Sequence, residues 1–395
     1  MMRTLRVALI ALFLATAVAS AKDRPAHPIL GLVWSGGGKL AWLDPLTLEP
    51  VREAEFRFPS GYYGLARSPD GRTIALRPRG ASRVRVISAA SLRVVRTIPA
   101  LGVRLAVSIW PTRDRLVGYA QGEVAVVDLE AGRVVSRSAL EGELLASATT
   151  RHRLVLLLGR KNRIGPVMMA TVEVSGSVRS VQLPALQAGF ASVRGSSRRA
   201  QLGLALDPSG RRAAVVAPGV VAEVDLASLT VSLHRLEARR PAAARKAFDG
   251  WSRTAVWAAP SVLAVTGTDS SASDDGHRLR QEPVGLTLLH TGRWEGRVVD
   301  SGASQVTKAG RTLLVTGARC EPADRFCRGI GLRGYTLSGS RRFHLFGNES
   351  LGIPEIAGGL AYLSDCNSFC HRIVDPATGH LIGRALPRRQ TVLLP

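Results

Sequence analysis

A short phrase made only of strand and turn signals recurs along this chain at intervals of roughly 35–50 residues. Its clearest copies are residues 86–95 (VISAASLRVV), 126–135 (VVDLEAGRVV), 224–231 (VDLASLTV) and 373–382 (IVDPATGHLI). Such a unit cannot bury its apolar face alone, so strand-only repeats of this length predict a propeller or a linear array of blades. Propellers host many unrelated activities, and the repeat therefore constrains the scaffold more than the function.

The spacing of turn signals divides the chain into four-strand units. They cover residues 30–56, 63–98, 105–140, 143–183, 202–236, 254–300, 304–347 and 354–386. The first unit has three strands, and residues 390–394 supply a spare one, so we expect the C-terminal strand to complete the first blade and to protect its edge. The fold prediction is an all-β propeller of eight four-stranded blades. Seven blades is the alternative, because units 143–183 and 254–300 are irregular, and a pair of β-sandwiches does not explain the period.

Two segments carry a recognisable blade consensus. Residues 68–76 (SPDGRTIAL), followed by 84–88 (VRVIS) and 92–95 (LRVV), resemble the repeats of bacterial WD40-like and YVTN-type propellers, and residues 207–212 (DPSGRR) repeat the turn. The resemblance covers about two blades well. It implies the propeller fold and a bias toward exported binding proteins, and no catalytic residue comes with it.

The N-terminus reads as an export signal. Arg3 and Arg6 precede an apolar run over residues 7–19, and residues 19–21 (ASA) fit a signal-peptidase site. The alternative, a membrane anchor, would need about 20 apolar residues, and this run is shorter. We therefore expect a cleavable signal at 1–21, a short segment at 22–28 and the propeller at 29–395, in a protein that is extracellular, cell-wall-associated or periplasmic.

The four cysteines fall into two local pairs, Cys320 with Cys327 and Cys366 with Cys370. Local disulfides are the simplest of the three connectivities, and they suit an oxidising compartment. Two alternatives stay open. Residues 366–371 (CNSFCH) are one residue longer than a haem-attachment motif, and a four-thiolate zinc site would want tighter spacing than the first pair has.

The chain is strongly basic, with 53 Lys and Arg against 30 Asp and Glu and a net charge of +23. A basic surface attracts anions, so a protein or an anionic polymer is the expected class of partner. The alternative is codon bias, since only five of the basic residues are lysine. Specific nucleic-acid recognition is not expected, because no aromatic residues interleave the basic runs to stack on bases.

Candidate chemical groups collect in one predicted loop, residues 268–277 (TDSSASDDGH). Asp269, Asp274, Asp275 and His277 offer oxygen and nitrogen ligands, so this loop is either a metal or ligand site or a solvated loop. The acids do not follow EF-hand spacing, and Ca²⁺ is the one cofactor that stays open. Aromatic residues near strand starts, Trp110, Trp251, Trp257 and Tyr62 with Tyr63, either stack on a ligand or pack between blades.

Two sequence motifs of known propeller enzymes are not matched by this sequence. The turn at residues 68–73 places its glycine one position too early for a sialidase Asp box, and the adjacent cysteine pair of quinoprotein dehydrogenases is absent. The sequence therefore favours an exported, non-catalytic binding propeller of unknown ligand. The alternative is a propeller hydrolase or lyase with a calcium ion bound in the channel, which no sequence spacing can reveal.

Overall fold

The computed structural model describes residues 27–34, 37–57, 64–77, 83–98, 107–120, 122–150, 152–193, 196–236, 250–272, 279–320, 327–364, 370–387 and 389–394. The predicted signal at 1–21 lies outside these residues. Residues 133–139 alternate between exposed and half-buried positions, whereas residues 153–159 form a nearly continuous apolar run, as expected of a strand that is buried on both faces.

The described residues contain strands and no helix. The strands are β1 (Ile29–Trp34), β2 (Gly38–Leu43), β3 (Pro50–Glu53), β4 (Gly64–Arg67), β5 (Thr73–Arg77), β6 (Val84–Ser88), β7 (Val94–Ile98), β8 (Val107–Ile109), β9 (Arg115–Ala120), β10 (Glu123–Asp128), β11 (Arg133–Ala139), β12 (Glu143–Thr149), β13 (Arg153–Gly159), β14 (Gly165–Glu173), β15 (Val178–Val193), β16 (Ser196–Gln201), β17 (Gly203–Leu206), β18 (Arg212–Ala217), β19 (Val220–Asp225), β20 (Val231–Arg235), β21 (Gly250–Ala259), β22 (Val262–Ala272), β23 (Leu279–Pro283), β24 (Leu286–His290), β25 (Glu295–Asp300), β26 (Ala303–Ala309), β27 (Thr312–Arg319), β28 (Arg328–Gly329), β29 (Leu332–Thr336), β30 (Arg341–Leu345), β31 (Glu355–Ala357), β32 (Leu360–Ser364), β33 (His371–Val374), β34 (Leu381–Ala385) and β35 (Gln390–Leu393).

These strands form a β-propeller arrangement, but the predicted blade count is wrong. Five sheets have four strands, and a sixth follows the four-strand path β26-β27-β29-β30 with β28 beside β27. The remaining strands form one ten-stranded sheet, in the order β12-β13-β14-β15-β16-β21-β22-β24-β25 with β23 beside β22. Among the described residues there are thus six separate four-stranded blades, rather than eight or seven.

The ten-stranded sheet arises because β15 does not stop at the edge of its hairpin. β15 is 16 residues long, pairs first with β14, and then pairs with β16 from Gly189 onward. β16 in turn pairs in parallel with the start of β21 at Gly250. A Cβ on Gly250 would lie 2.4 Å from the carbonyl oxygen of Arg199, so this close crossing requires glycine. Turn signals alone do not predict such a junction between distant strands.

The C-terminal strand lies beside the first strand. β35 pairs antiparallel with β1 through residue partners such as Gly31 with Leu393 and Trp34 with Gln390. The Tyr362 hydroxyl of the last sheet also donates a hydrogen bond of 2.9 Å to the carbonyl oxygen of Pro45 in the first sheet. Both ends of the described chain therefore contribute to one sheet.

Apolar clusters between neighbouring sheets hold the arrangement together. Leu40 of the first sheet packs with Ile74 and Leu76 of the second, and all three are fully buried. The sheet of β17–β20 lies between two parts of the ten-stranded sheet, which it meets through Leu157 and Val215 on one side and through Val216 and Trp257 on the other. Burial of one such leucine side chain contributes about 2 kcal/mol.

Arginines on the outer strands reach the next sheet in a recurring way. Arg52 donates to the carbonyl oxygen of Ala90, and Arg96 donates to those of Leu129 and Glu130. Equivalent bonds run from Arg179 to Leu226 and Ala227, from Arg297 to Ser338, and from Arg342 to Ala377. The acceptors lie in turns between third and fourth strands, so part of the arginine excess has a structural role between sheets.

Candidate functional site

The irregular parts of the molecule concentrate at one end of the sheets. We call this end the upper face: first strands begin there, and the links between second and third strands lie there. The lower face is the opposite end, which carries the turns from first to second strands. The extension of β15 and β16, the strand β23 and the strand β28 all lie on the upper face. Because connections carry function more often than strands do, the upper face is the first place to search for a site.

The upper-face extensions of neighbouring sheets contact one another. The disulfide between Cys320 and Cys327 is present, as predicted, and it closes the link between β27 and β28. The Sγ atom of Cys320 lies 3.5 Å from the carbonyl oxygen of Gln281 in β23. Cys370 is also disulfide-bonded, and its predicted partner Cys366 lies outside the described residues.

Of the four candidate ligands in the predicted loop at 268–277, only Asp269 lies within the described residues, and residues 268–272 belong to strand β22 rather than to a loop. Its carboxylate is buried and lies 2.8 Å from Nη2 of Arg253. Nη1 of the same guanidinium donates to the carbonyl oxygens of Ser252 and Thr268. Burial lowers the pKa of Arg253, and the nearby Asp269 carboxylate opposes this effect. Asp269 therefore ties β22 to β21 as one half of an ion pair.

Asp274, Asp275 and His277 lie outside the described residues. Within the described ranges, no cluster of three or more His, Cys, Asp or Glu side chains could hold a metal ion. The rest of the loop, which is either a metal or ligand site or a solvated loop, stays a prediction.

A second buried carboxylate organises the sheet of β26–β30. Both carboxylate oxygens of Asp300 accept bonds of 2.9 Å from Nη1 of Arg333, and the Tyr335 hydroxyl donates to Oδ2 at 2.7 Å. Burial opposes ionisation of Asp300, but these bonds and the Gly302 amide outweigh it and lower its pKa. Burial and the neighbouring carboxylate raise the pKa of Tyr335. All of the bonding capacity of Asp300 is used internally, so this network is structural.

An open pocket of about 1040 Å³ lies on the upper face between the sheet of β8–β11 and the strands β12–β15. We call it the upper pocket. Its wall is apolar, and its rim carries charges on two links: Glu141 and Glu143 on one side, and Arg160 and Lys161 on the other. The wall residues are Tyr119, Leu144, Leu158, Pro166 and Met168, with Gln182 at the outer edge.

The wall of the upper pocket is fixed by hydrogen bonds of Tyr119. Its hydroxyl donates to the carbonyl oxygen of Gly142 at 2.8 Å and accepts from the amide of Gly122 at 3.3 Å. Burial raises the pKa of Tyr119, so the hydroxyl stays protonated at neutral pH. A side chain locked in this way presents a preformed surface, which reduces the entropy cost of binding a ligand.

Most of the charged side chains at the rim of the upper pocket have no hydrogen-bond or ion-pair partner within the described residues. Within the described residues, Glu141, Arg160 and Lys161 make no hydrogen bond or ion pair, whereas Glu143 accepts a bond of 3.3 Å from the Asn162 amide. An apolar wall with a few polar groups at its edge is the usual composition of a small-molecule site, and the volume is at the upper end of the usual range.

The predicted aromatic residues mostly pack or cap other elements. The Trp257 Nε1 donates to the carbonyl oxygen of Ala205 in the neighbouring sheet at 3.3 Å, and Trp110 is buried with its Nε1 bonded to the Arg113 carbonyl oxygen. Trp251 lies under the guanidinium of Arg253 at 5.7 Å. Tyr62 and Tyr63 lie outside the described residues. Packing between blades thus accounts for Trp110 and Trp257.

Comparison with known proteins supports the fold and leaves the function open. No family model matches the chain, and no curated protein matches it. Among solved structures, the dihydro-heme d1 dehydrogenase NirN, determined in complex with DHE, aligns with a TM-score of 0.56 at 14% identity, over 95% of this chain and 77% of NirN. AztD from Citrobacter koseri, determined in its apo form, aligns with a TM-score of 0.51 at 11% identity, over 92% of this chain and 97% of AztD.

The computationally designed protein Ika8 aligns with a TM-score of 0.50 at 10% identity, over 85% of this chain and 91% of Ika8. At such identities the likeness concerns the fold alone. The described residues also contain no helix that is long and apolar enough to cross a bilayer.

Sequence reasoning missed the upper pocket. The only signal for it is a pair of charged doublets, Glu141 with Glu143 and Arg160 with Lys161, each on a link at the same end of neighbouring strands. Since the two doublets are separated by a strand, their proximity becomes visible only when the pairing of β12 with β13 is known.

Proposed function

We propose that this protein is an exported, non-catalytic binding propeller that holds a small amphipathic ligand in the upper pocket. The observation that carries the proposal is the pocket itself: about 1040 Å³, with an apolar wall and unpaired charges of both signs at its rim. A binding role needs no buried catalytic group. The buried carboxylates of Asp269 and Asp300 both form ion pairs with arginines.

The composition of the pocket suggests the chemistry of its ligand. The half-buried Leu144 and Met168 favour a flat or bulky apolar body, because apolar surface removed from water contributes about 25 cal/mol per Å². Arg160 and Lys161 would pair with a carboxylate or another anionic group of the ligand, and Glu141 would accept a bond from an amino or hydroxyl group. A single cation or a neutral sugar would leave half of these groups unused.

Export is part of this proposal. Its support is the signal pattern at residues 1–21 and the disulfide between Cys320 and Cys327, since disulfides persist in oxidising compartments. The expected places are the periplasm, the cell wall or the medium.

We also propose that the sheets close into a complete ring, of the kind seen in WD40-like and YVTN-type repeats. The pairing of β1 with β35 and the Tyr362 bond to Pro45 support the ring, because each joins the last part of the chain to the first sheet. A closed ring leaves no inner sheet edge open to pairing with another chain.

The experiment is a thermal-shift and calorimetric screen of the mature protein with aromatic and polycyclic carboxylates, each compared with its methyl ester. The proposal predicts that acids bind and that esters bind at least tenfold more weakly, since a charge-assisted bond is lost. The double variant Arg160→Glu with Lys161→Glu should lose the preference for acids.

The matched control is Arg133→Glu with Arg235→Glu, two exposed arginines on outer strands that do not line the pocket. Equal binding by both double variants would contradict the proposal. Calcium titration with and without chelator runs in parallel: chelator-sensitive unfolding would instead revive a calcium-dependent hydrolase or lyase, with Asp274, Asp275 and His277 as the first residues to test.

A further inference from the structure

We propose that the lower face holds a separate binding site for small oxyanions, where the first strands of three successive sheets converge. A pocket of about 410 Å³ lies there, lined by the ends of β4, β8 and β12 and by the turns that follow them. We call it the lower pocket. Of the residues that the sequence pattern singled out, Trp110 and Pro69 of the turn at 68–72 belong to its described lining.

The described polar side chains that line the lower pocket can all donate hydrogen bonds, and none of them carries a negative charge. Arg67 is exposed and makes no hydrogen bond or ion pair within the described residues. The hydroxyls of Ser108 and Thr149 line the same space, and so does that of Thr150, which already donates to the Arg153 carbonyl oxygen at 3.4 Å. The described lining includes no carboxylate. A free guanidinium fork with several hydroxyls is the donor set that carboxylate and phosphate oxygens prefer.

Nearby acids do not neutralise Arg67, because each already has its own partners. Asp70 accepts from the Ser68 hydroxyl at 2.6 Å and from the Arg72 amide at 3.0 Å, and these bonds lower its pKa. Asp114 accepts from the Thr112 hydroxyl at 2.9 Å. Asp114 also pairs with Arg115 at 3.4 Å, and the exposed Arg67 and Arg113 outnumber the ionised Asp70, so these side chains together carry a net positive charge.

The lower pocket is independent of the upper pocket. Strand β12 is seven residues long, with Glu143 at the upper pocket and Thr149 at the lower pocket. At about 3.3 Å per residue the two sites lie about 20 Å apart. One ligand of ordinary size cannot fill both, and a charge change in one pocket is screened from the other at physiological salt.

The size of the lower pocket limits its ligand. At about 410 Å³ the space suits a small molecule of the size of a sugar phosphate or a tricarboxylate. The half-buried Leu65 and the exposed Pro69 supply an apolar side to the site, which favours an organic body attached to the anionic group. Phosphate and carboxylate share the same recognition chemistry, so the experiment must separate them.

The test uses calorimetry of the full mature protein with four probes: inorganic phosphate, glucose 6-phosphate, citrate and glucose. The proposal predicts binding of at least one anionic probe at millimolar concentration and none of glucose. Arg67→Gln should weaken that binding tenfold or more, because a charged bonding partner is removed. The probe that binds most tightly decides between phosphate and carboxylate.

Three controls keep the result interpretable. Arg72→Gln removes an arginine from the same face that does not line the pocket, and it should change binding by less than about twofold. Ser108→Ala with Thr149→Ala tests the hydroxyls without a change of charge, and it should also weaken binding. Arg160→Glu with Lys161→Glu should leave anion binding unchanged, which separates this site from the upper pocket. Binding that Arg67→Gln does not weaken, or no binding of any anionic probe, overturns the proposal.

Discussion

Replacing Asp300 with asparagine should destabilise the protein more than any change at an exposed carboxylate. The Asp300 side chain is 2% exposed and its partner Arg333 is 13% exposed, so the pair is shielded from water on both sides. The amide side chain of the Asp300→Asn variant would keep one acceptor oxygen but lose the charge that two Nη1 bonds and the Tyr335 hydroxyl use. Arg333 would then remain charged and poorly paired.

The expected magnitude follows from these contacts. Breaking a buried ion pair by removing one partner costs about 3–5 kcal/mol, and the retained amide oxygen places this variant at the lower end, about 3 kcal/mol. Tyr335→Phe removes a single bond to the carboxylate and should cost about 1.5–3 kcal/mol. The double variant should cost less than the sum of the two single changes, because both remove the same bond.

The assay is urea unfolding followed by circular dichroism, with Asp225→Asn as control. Asp225 occupies an exposed turn, where it accepts bonds from the Ala227 and Ser228 amides, and its replacement should cost less than about 1 kcal/mol. An equal loss of unfolding free energy in Asp300→Asn and Asp225→Asn would show that the buried network around Asp300 adds no more stability than an exposed turn.

Three further predictions concern pH, the arginine bonds and the disulfide. Folding lowers the pKa of Asp300, so the stabilisation by its carboxylate is present above the ordinary value of 3.8 and is lost as the pH falls through the lower folded-state value. Wild type should therefore lose stability below about pH 4 in acid titrations of unfolding. Asp300→Asn should lack that part of the loss. Arg96→Ala should lower the free energy of unfolding by about 1 kcal/mol in urea titrations, because it removes both bonds that Nη1 donates to the carbonyl oxygens of Leu129 and Glu130. Cys320→Ser with Cys327→Ser should lower the melting temperature by a few degrees, since the bond closes a short loop with a sequence separation of 7, and an unchanged melting temperature would contradict this view.

The sequence predicts the strands well because their signals are local. The repeated turn phrase forms the same turn in several sheets: the amides of Leu48, Leu92 and Leu229 each donate to the carbonyl oxygen four residues earlier, at 2.8 Å. These three leucines have positive φ, between 56° and 59°. Turns of this kind are dictated by neighbouring residues, so a pattern of spacing is enough to find them.

The junction of the ten-stranded sheet could not be predicted in the same way. The parallel pairing of residues 199–201 with 250–252 joins segments about 50 residues apart in the chain and involves only three residue pairs. No local propensity marks such a pairing. The upper pocket could not be predicted for a related reason. The acidic loop is recognisable from its composition alone, whereas the upper pocket depends on which links the strands bring together.

A ligand of the upper pocket should accompany the protein through purification, and a comparison of bound compounds detects it. Wild type and Gln182→Trp would be purified in parallel, and their small-molecule extracts compared by mass spectrometry. Gln182 is exposed at the edge of the pocket, opposite Met168 in the pairing of β14 with β15, so the tryptophan would occupy the binding space without disturbing the core. We expect at least one amphipathic anion that accompanies wild type in near-stoichiometric amount and is lost from the variant. Identical extracts from the two proteins would contradict it.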